Sequence, residues 1–419
     1  MSYIEGAASD TTHFPASDAY IPRLIAASCL GVAVLLAIGA VSWTDLRSGV
    51  DTLWQPTVTI LAIMLSTAAA ERLGILDVLA ERLVPLEDQS PGRVFRSVFI
   101  LSVITSAILN NDAAVLLLTP LVVSLVRRCY PNRPDLLTPF VFAVFSAAGV
   151  APLATSNPMN LIVAEYTGMS FNEYALWMTP IAVAGWVVAY VFLRLLFRGP
   201  LRRSVPGELS PRPHDRSLPP AAVCFLLVLL LSLLCYPALS FLGVPVWPVA
   251  ASIAALGVVF CRSSRVSSPR QLAAMVSWPI MIFLYCIFVI ALGLRNIGLV
   301  DQLATLYAYP SNTSGEIAMI SMVSALGSAI LNNHPMAMLN VFAIQRLGAT
   351  THQHVVAALV GGDLGPRLLP IGSLAGLLWF ESLRRLNIYI KLRLFMLVGV
   401  TVTIPSLAIS LVILLFQQP

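Results

Sequence analysis

A chain of 419 residues that is 58% hydrophobic and only 11% charged lies far from the roughly one quarter of charged residues found in soluble domains. A soluble globular protein is excluded and an integral membrane protein expected. The net charge of +5 does not point to nucleic acid, because the arginines sit in loops between apolar runs, as positive-inside bias requires. Six cysteines (Cys29, Cys129, Cys224, Cys235, Cys261, Cys286) lack metal-ligand spacing and read as small buried residues, so neither metal nor cofactor is expected.

Residues 1 to 22 are polar and carry no charged start leading into an apolar core and cleavage site, so no signal peptide is predicted. Spans are predicted at Leu24 to Val41 and Trp54 to Ala70, near the roughly 17–25 apolar residues that cross a bilayer as a helix. Their continuous rather than alternating apolar character favours helices over barrel strands. An amphipathic segment, Glu71 to Leu86, and a turn, Glu87 to Pro91, precede the apolar run Val94 to Leu109. Asn110-Asn111-Asp112 interrupts that run before a shorter one, Ala113 to Val126, which Arg127, Arg128 and Arg133 close. Pro139 to Leu153 then meets Thr155-Ser156-Asn157-Pro158-Met159-Asn160. Proline with small polar neighbours frees backbone groups and predicts a broken helix. After a return run, Tyr174 to Leu196, the Arg- and Pro-rich stretch Arg198 to Ser217 reads as a linker. Residues 1–197 thus form a first transmembrane repeat, 198–220 a cytoplasmic basic linker and 221–419 a second repeat, with an extra connecting helix at about 221–239.

The duplication is written in the sequence. Ser106-Ala107-Ile108-Leu109-Asn110-Asn111 recurs as Ser328 to Asn333, 222 residues on, and Leu73 to Ala80 is matched by Ile297 to Ala304 at an offset of 224. Val276 to Leu292 resembles the second span, and the interruption Gly361 to Ser373 takes the place that Thr155 to Asn160 holds in the first half. A last span is predicted at Phe395 to Phe416, and His352 and His354 read as solvated loop residues.

With a cytoplasmic N-terminus and each Asn-Asn pair at the tip of a re-entrant hairpin, Arg47, Arg295 and Arg346 fall outside. Arg194 and Arg367 fall within apolar runs, and the other 20 of 25 basic residues fall inside. The two halves then face opposite ways. The expected fold is an all-α polytopic membrane protein of two inverted repeats, each with a re-entrant hairpin and a broken helix meeting near the midplane, a recurrent secondary-transporter plan. Val94 to Leu109, with Pro91 to Arg93, is also long enough to span fully, which would alter the helix count.

Polar groups in hydrocarbon are costly unless paired, so interruptions at matching places mark a site. Asn110, Asn111, Asn332 and Asn333 can satisfy freed backbone groups and a polar solute alike, because an amide both donates and accepts. The structural alternative is capping. Asp112 is the leading ion-coupling candidate; its alternative is an N-cap for the run starting at Ala113. His334 holds the matching place and could bind protons or accept a hydrogen bond from a solute. Asp363 and Arg367, four apart, either neutralise each other or couple and gate. Ser156, Asn157, Asn160 and Ser373 offer hydroxyl and amide contacts or caps. No phosphate-cradling loop, zinc spacing or nucleophile elbow occurs, so a secondary transporter rather than an enzyme is expected.

Three segments carry a family resemblance: LNNDAAVLLLTPLV (Leu109 to Val122), SNPMNLIVAEYTGMSFNEY (Ser156 to Tyr174) and GDLGPRLLPIGSLAGLLW (Gly362 to Trp379). They resemble the bacterial arsenite efflux permease family of the ion transporter superfamily, and the resemblance extends over most of both halves. It implies export of arsenite and antimonite across the inner (plasma) membrane in exchange for protons, and association with a separate soluble ATPase subunit. It also carries the family's central polar residues to Asn111, Asp112, Ser156, Asn157, Asn333, Asp363, Gly372 and Ser373. The chain departs from the family pattern at Asn110, Ala113 and His334. Arsenite near neutral pH is mainly the uncharged trihydroxide, which amides, hydroxyls and one carboxylate can bind without a cationic cluster. Thiols bind trivalent arsenic well, yet no cysteine lies at any of the four breaks, so transport without thiolate coordination is expected. The alternatives are a sodium/proton antiporter or organic-anion transporter of the same superfamily, and a membrane enzyme or receptor.

Overall fold

The computed structural model describes residues 20–75, 77–78, 90–202, 218–348 and 351–417. Residues 87–89 of the turn expected at Glu87 to Pro91, most of the segment before it and residues 203–217 of the linker lie outside these. So do Leu76, Leu79 and Ala80 of the second repeated stretch. Within the described residues the chain is all-α, with eighteen helices and no strand, and eight helices are long and apolar enough to cross a membrane.

The first half contains α1 (Tyr20–Ala37), α2 (Trp43–Arg72), α3 (Pro91–Ile108), α4 (Asn111–Cys129), α5 (Leu137–Ala147), α6 (Pro158–Thr167) and α7 (Phe171–Leu196). Short α8 (Arg198–Arg202) and then α9 (Pro220–Phe241) follow. The second half runs α10 (Val246–Ser263), α11 (Pro269–Ala274), α12 (Trp278–Asn296), α13 (Leu299–Tyr307), α14 (Thr313–Leu331), α15 (Asn333–Arg346), α16 (His352–Leu364), α17 (Leu374–Arg385) and α18 (Leu392–Phe416). The order from α3 to α7 recurs from α14 to α18, and the closing pair, α7 and α18, each carry an internal proline, Pro180 and Pro405.

Local chemistry places the helix starts. α2 begins eleven residues before the predicted Trp54, because Ser42 accepts from the Asp45 amide while the Asp45 carboxylate accepts from the Ser42 amide, a reciprocal capping box. Ser170 and Glu173 start α7 in the same way, and Gly168, with φ of 72°, supplies the left-handed turn that ends α6. The expectation for His354 is corrected. Thr351 caps α16 so that the helix begins at His352, and His354 is buried against the Thr351 hydroxyl and, at 3.2 Å, the Glu316 carboxylate. α3 has the 18 residues of a full-length span, about 27 Å of helix, yet ends at the Asn110 interruption.

The two halves exchange half-helices. One apolar core joins Met159, Leu161, Ile162 and Val163 of α6 to α12, α15 and α16 of the second half. The other joins α3, α4 and α5 to Trp379 and Leu383 of α17 and Phe395 of α18. Trp379, fully buried, stacks on Phe145 at 4.8 Å and tilts against Phe142 at 5.2 Å. In hydrocarbon, where water drives little, such close dispersion contacts hold helices together. The outer faces of α7 and α9 expose Leu176, Val183, Val187, Leu227, Leu231 and Leu234, as a lipid boundary requires.

Candidate functional site

Four helices begin at one place. Asn110 caps α4 through its side-chain oxygen on the Ala113 amide at 2.6 Å, and Asn332 caps α15 through the His334 amide at 3.3 Å. Asn157 caps α6 through the Met159 amide at 3.1 Å, and Ser373 caps α17 through the Gly376 amide at 3.0 Å. A helix start carries partial positive charge and free amide donors, so four of them converging form a region that favours electron-rich oxygen.

A cavity of about 30 Å³ sits among these starts. It is lined by Asn111, Asp112, Asn157, Asn333, His334, Asp363, Arg367 and Ser373, closed by Val115, Phe145, Pro366 and the first turn of α17. Asn111 and Asn333, one from each half of the chain, therefore face one space. The neighbouring asparagines divide from them: Asn110 is a cap, and Asn332, with φ of 85°, is a cap that also donates to the Ile371 carbonyl at 3.0 Å. The Asn111 amide oxygen accepts from the Ser106 hydroxyl, which fixes its orientation.

Other sequence candidates are brought near without lining the cavity. Ser156 donates to the Ala107 carbonyl at 3.1 Å and ties the break to the end of α3. Asn160 donates to Asp363 at 2.9 Å and to the Tyr174 hydroxyl oxygen at 2.6 Å. Gly372 lies against Pro366, whose Cα a side chain there would meet at 2.5 Å.

Asp363 and Arg367 do not neutralise each other through a helical spacing, because α16 ends at Leu364 and a turn of 3-10 helix follows. Asp363 instead accepts from the Ala151 amide at 3.0 Å and from the side-chain amides of Asn157 and Asn160 at 2.9 Å. One carboxylate of the second half thus collects three donors from the break in the first. Arg367 donates to the Ser146 carbonyl at 2.6 Å, where the end of α5 presents partial negative charge.

Two contributors were missed in the sequence. Tyr174 accepts from Asn160 and donates to the Ala151 carbonyl at 3.0 Å, bracing the loop that holds Asp363. Gly149 leaves room for the Arg367 guanidinium, which a Cβ there would meet at 2.1 Å. Gly149→Ala is expected to lower the melting temperature, corresponding to about 1–3 kcal/mol of overpacking. Combining it with Arg367→Ala should cost less than the two changes added, since the second removes the clash. Strict additivity in detergent melting would show that the contact is not formed.

Several buried polar atoms have no hydrogen-bond partner among the described residues: Asn333 Oδ1, His334 Nε2, and Arg367 Nε and Nη1. Asp112 lines the same cavity. The arrangement offers acceptors, donors and a carboxylate to a small oxygen-rich solute, with one cation rather than a cluster.

Beyond His334 lies an apolar constriction of about 10 Å³ formed by Leu53, Met159, Ile162, Leu284, Ile287 and Phe288. Past it opens a larger cavity of about 480 Å³ lined by Thr52, Gln55, Glu165, Tyr166 and Ser170 among others. α6 contributes to all three in turn: Asn157, then Met159 and Ile162, then Glu165 and Tyr166.

A family model described as arsenical pump membrane protein matches residues 22–417. The arsenical pump membrane protein of Escherichia coli strain K12 is 28% identical over 390 residues, covering 91% of each chain. Among solved structures, the YdaH transporter of Alcanivorax borkumensis has a similar fold, with a TM-score of 0.63 at 16% identity, covering 95% of this chain and 99% of its own. MtrF of Neisseria gonorrhoeae, described as illuminating a class of antimetabolite efflux pumps, aligns with a TM-score of 0.61 at 13% identity over 93% of this chain and 94% of its own.

Proposed function

This chain belongs to the arsenical pump membrane protein family, and from that premise we propose that it exports arsenite and antimonite, as the neutral trihydroxides, in exchange for protons. It is a multi-pass membrane transporter. The observation that carries the substrate reading is the central cavity. Polar side chains from both halves line it, the unpaired donors and acceptors among them belong to Asn333, His334 and Arg367, and it has one buried guanidinium rather than an anion-selective cluster. A trihydroxide presents three hydroxyls that donate and accept, which matches Asn333 Oδ1, His334 Nε2 and the Arg367 N–H groups.

In this reading Asn111, Asn157, Asn333, His334 and Ser373 hold the solute. Asn110, Asn160, Asn332, Ser156 and Gly372 fix the breaks, and Asp112, with Asp363 and Arg367 beside it, couples the ion. The repeats, residues 1–197 and 221–419 joined by the linker 198–220, are inverted, and the N-terminus is cytoplasmic. Under that orientation the 480 Å³ cavity faces the outside, and the ring of Leu53, Ile162 and Phe288 is the closed outer gate. A soluble arsenite-stimulated ATPase subunit is a further partner on the cytoplasmic side.

The test is arsenite uptake into everted vesicles with and without an imposed pH gradient. Uptake that follows the gradient supports proton exchange; a requirement for sodium, or block by dicarboxylates, favours the antiporter or organic-anion alternative. Thiols play no part in this path, since the residues lining the central cavity include no cysteine. A variant with all six cysteines changed to serine or alanine is expected to keep its arsenite efflux. Loss of efflux in a folded cysteine-free protein would place a thiol in the path.

A further inference from the structure

Cys29 and Cys286 are 257 residues apart in sequence, yet their sulfurs lie 3.7 Å from each other, midway along α1 and α12. Both are free thiols; Cys286 is buried and Cys29 exposed, on a helix that also exposes Leu30 and Val34. The pair therefore opens toward lipid, away from the residues that line the central cavity.

The packing around the pair holds its geometry. Gly293 carries no side chain where a Cβ would meet Leu35 and Val41 at 2.8 Å, so α1 and α12 approach closely. The Asn296 amide donates to the Ala40 carbonyl at 3.0 Å, and the Tyr285 hydroxyl to the Leu46 carbonyl at 2.7 Å. Two thiols presented on fixed helices lose little freedom on capture by one atom. Bonds of about 2.3 Å from a soft centre to two sulfurs, at angles from roughly 90° to tetrahedral, hold those sulfurs about 3.3–3.8 Å apart. The observed separation falls in that span.

We propose that Cys29 and Cys286 form a dithiol site for lipid-soluble trivalent organoarsenicals, separate from the transport path. The hydrocarbon setting selects the ligand class: an arsenic bearing an alkyl or aryl group partitions into lipid, whereas the trihydroxide stays in water. Capture forms two As–S bonds. The oxygen on arsenic leaves as water with both thiol protons, arsenic remains trivalent, and no oxidant or reductant is consumed. The product staples α1 to α12, the helix that supplies Leu284, Ile287 and Phe288 to the apolar constriction.

The probe is phenylarsine oxide added to the full-length protein in lipid nanodiscs. Binding is read by intact mass and by protection of thiols from maleimide after rapid unfolding. The wild type should gain one tightly held adduct that protects two thiols, removable by a dithiol competitor. Cys29→Ser and Cys286→Ser should each weaken retention by about 100-fold or more, the loss expected when a two-point attachment becomes single. Cys129→Ser and Cys224→Ser should retain it. Protection of other cysteines, or an adduct unchanged in both Cys29→Ser and Cys286→Ser, would overturn the proposal. So would wild-type protein with no protected pair, whatever the outcome for arsenite transport.

Discussion

Asp112→Asn is expected to give a folded protein in which pH-driven arsenite exchange falls by at least about tenfold, the mark of a functional ionisable group in a membrane. Asp112 occupies the first turn of α4 and lines the central cavity. The cap of that helix is made by the Asn110 side chain, so the alternative role of Asp112 as the N-cap falls to its neighbour. Its carboxylate is therefore free of a capping duty that asparagine would have to replace. Asparagine keeps the size and the hydrogen-bonding capacity of the side chain but cannot exchange a proton. The fold should survive, with a melting temperature close to the wild type, while the gradient no longer drives uptake into everted vesicles. The sign is definite: a proton-exchange role removes the difference between vesicles with and without a pH gradient, whereas a purely structural role would lower protein yield and leave that difference in place. Equal gradient-driven exchange in the variant would remove Asp112 from the coupling path. His334→Ala is the natural comparison, since His334 occupies the matching first turn of α15.

The amide interruptions were legible because polar residues inside an apolar run have few structural excuses, and their repetition at Ser328 to Asn333 removed most of the rest. The sequence did not reveal the division of labour within each pair. Asn110 and Asn332 turn to backbone amides while Asn111 and Asn333 face the cavity, a difference of one residue at a helix start that no periodicity records. The spacing of Asp363 and Arg367 would pair them along a helix only if the helix ran on, and Gly365 and Pro366 carry the chain out of α16 between them. Tyr174, Phe145 and Gly149 left no signal. Each is an unremarkable member of an apolar or small-residue run; Phe145 and Gly149 matter because Trp379 and Arg367 of the other half arrive beside them, and Tyr174 because Asn160 folds back onto it. The same holds for the apolar constriction, whose walls come from α2, α6, α12 and α15.

Asp363→Ala is expected to have the largest effect on stability of any single change in the site. The Asp363 carboxylate, 4% exposed, accepts from Ala151, Asn157 and Asn160. Its removal leaves three buried donors without their acceptor and the Arg367 guanidinium without the nearby opposite charge. Breaking a buried charged arrangement by deleting one member costs about 3–5 kcal/mol, and each orphaned donor adds its own desolvation penalty. The loss should show as a lower melting temperature in detergent and as poor recovery of monodisperse protein. Asp363→Asn separates two roles. Asparagine keeps one acceptor oxygen for Asn157 but turns an NH2 group toward the Ala151 and Asn160 donors, so a structural latch predicts an intermediate loss of stability. An ion-coupling role for Asp363 predicts instead that the asparagine variant melts like wild type and loses its response to the pH gradient. Tyr174→Phe isolates the brace behind the latch: it removes the donor to Ala151 and the acceptor for Asn160 without touching the carboxylate. If Asp363 works by holding the first-half break in place, Tyr174→Phe should weaken the same unfolding transition by about 1–3 kcal/mol. It should then be less than additive with Asp363→Asn, because both act on the one loop. Independent, fully additive losses would separate the tyrosine from the latch.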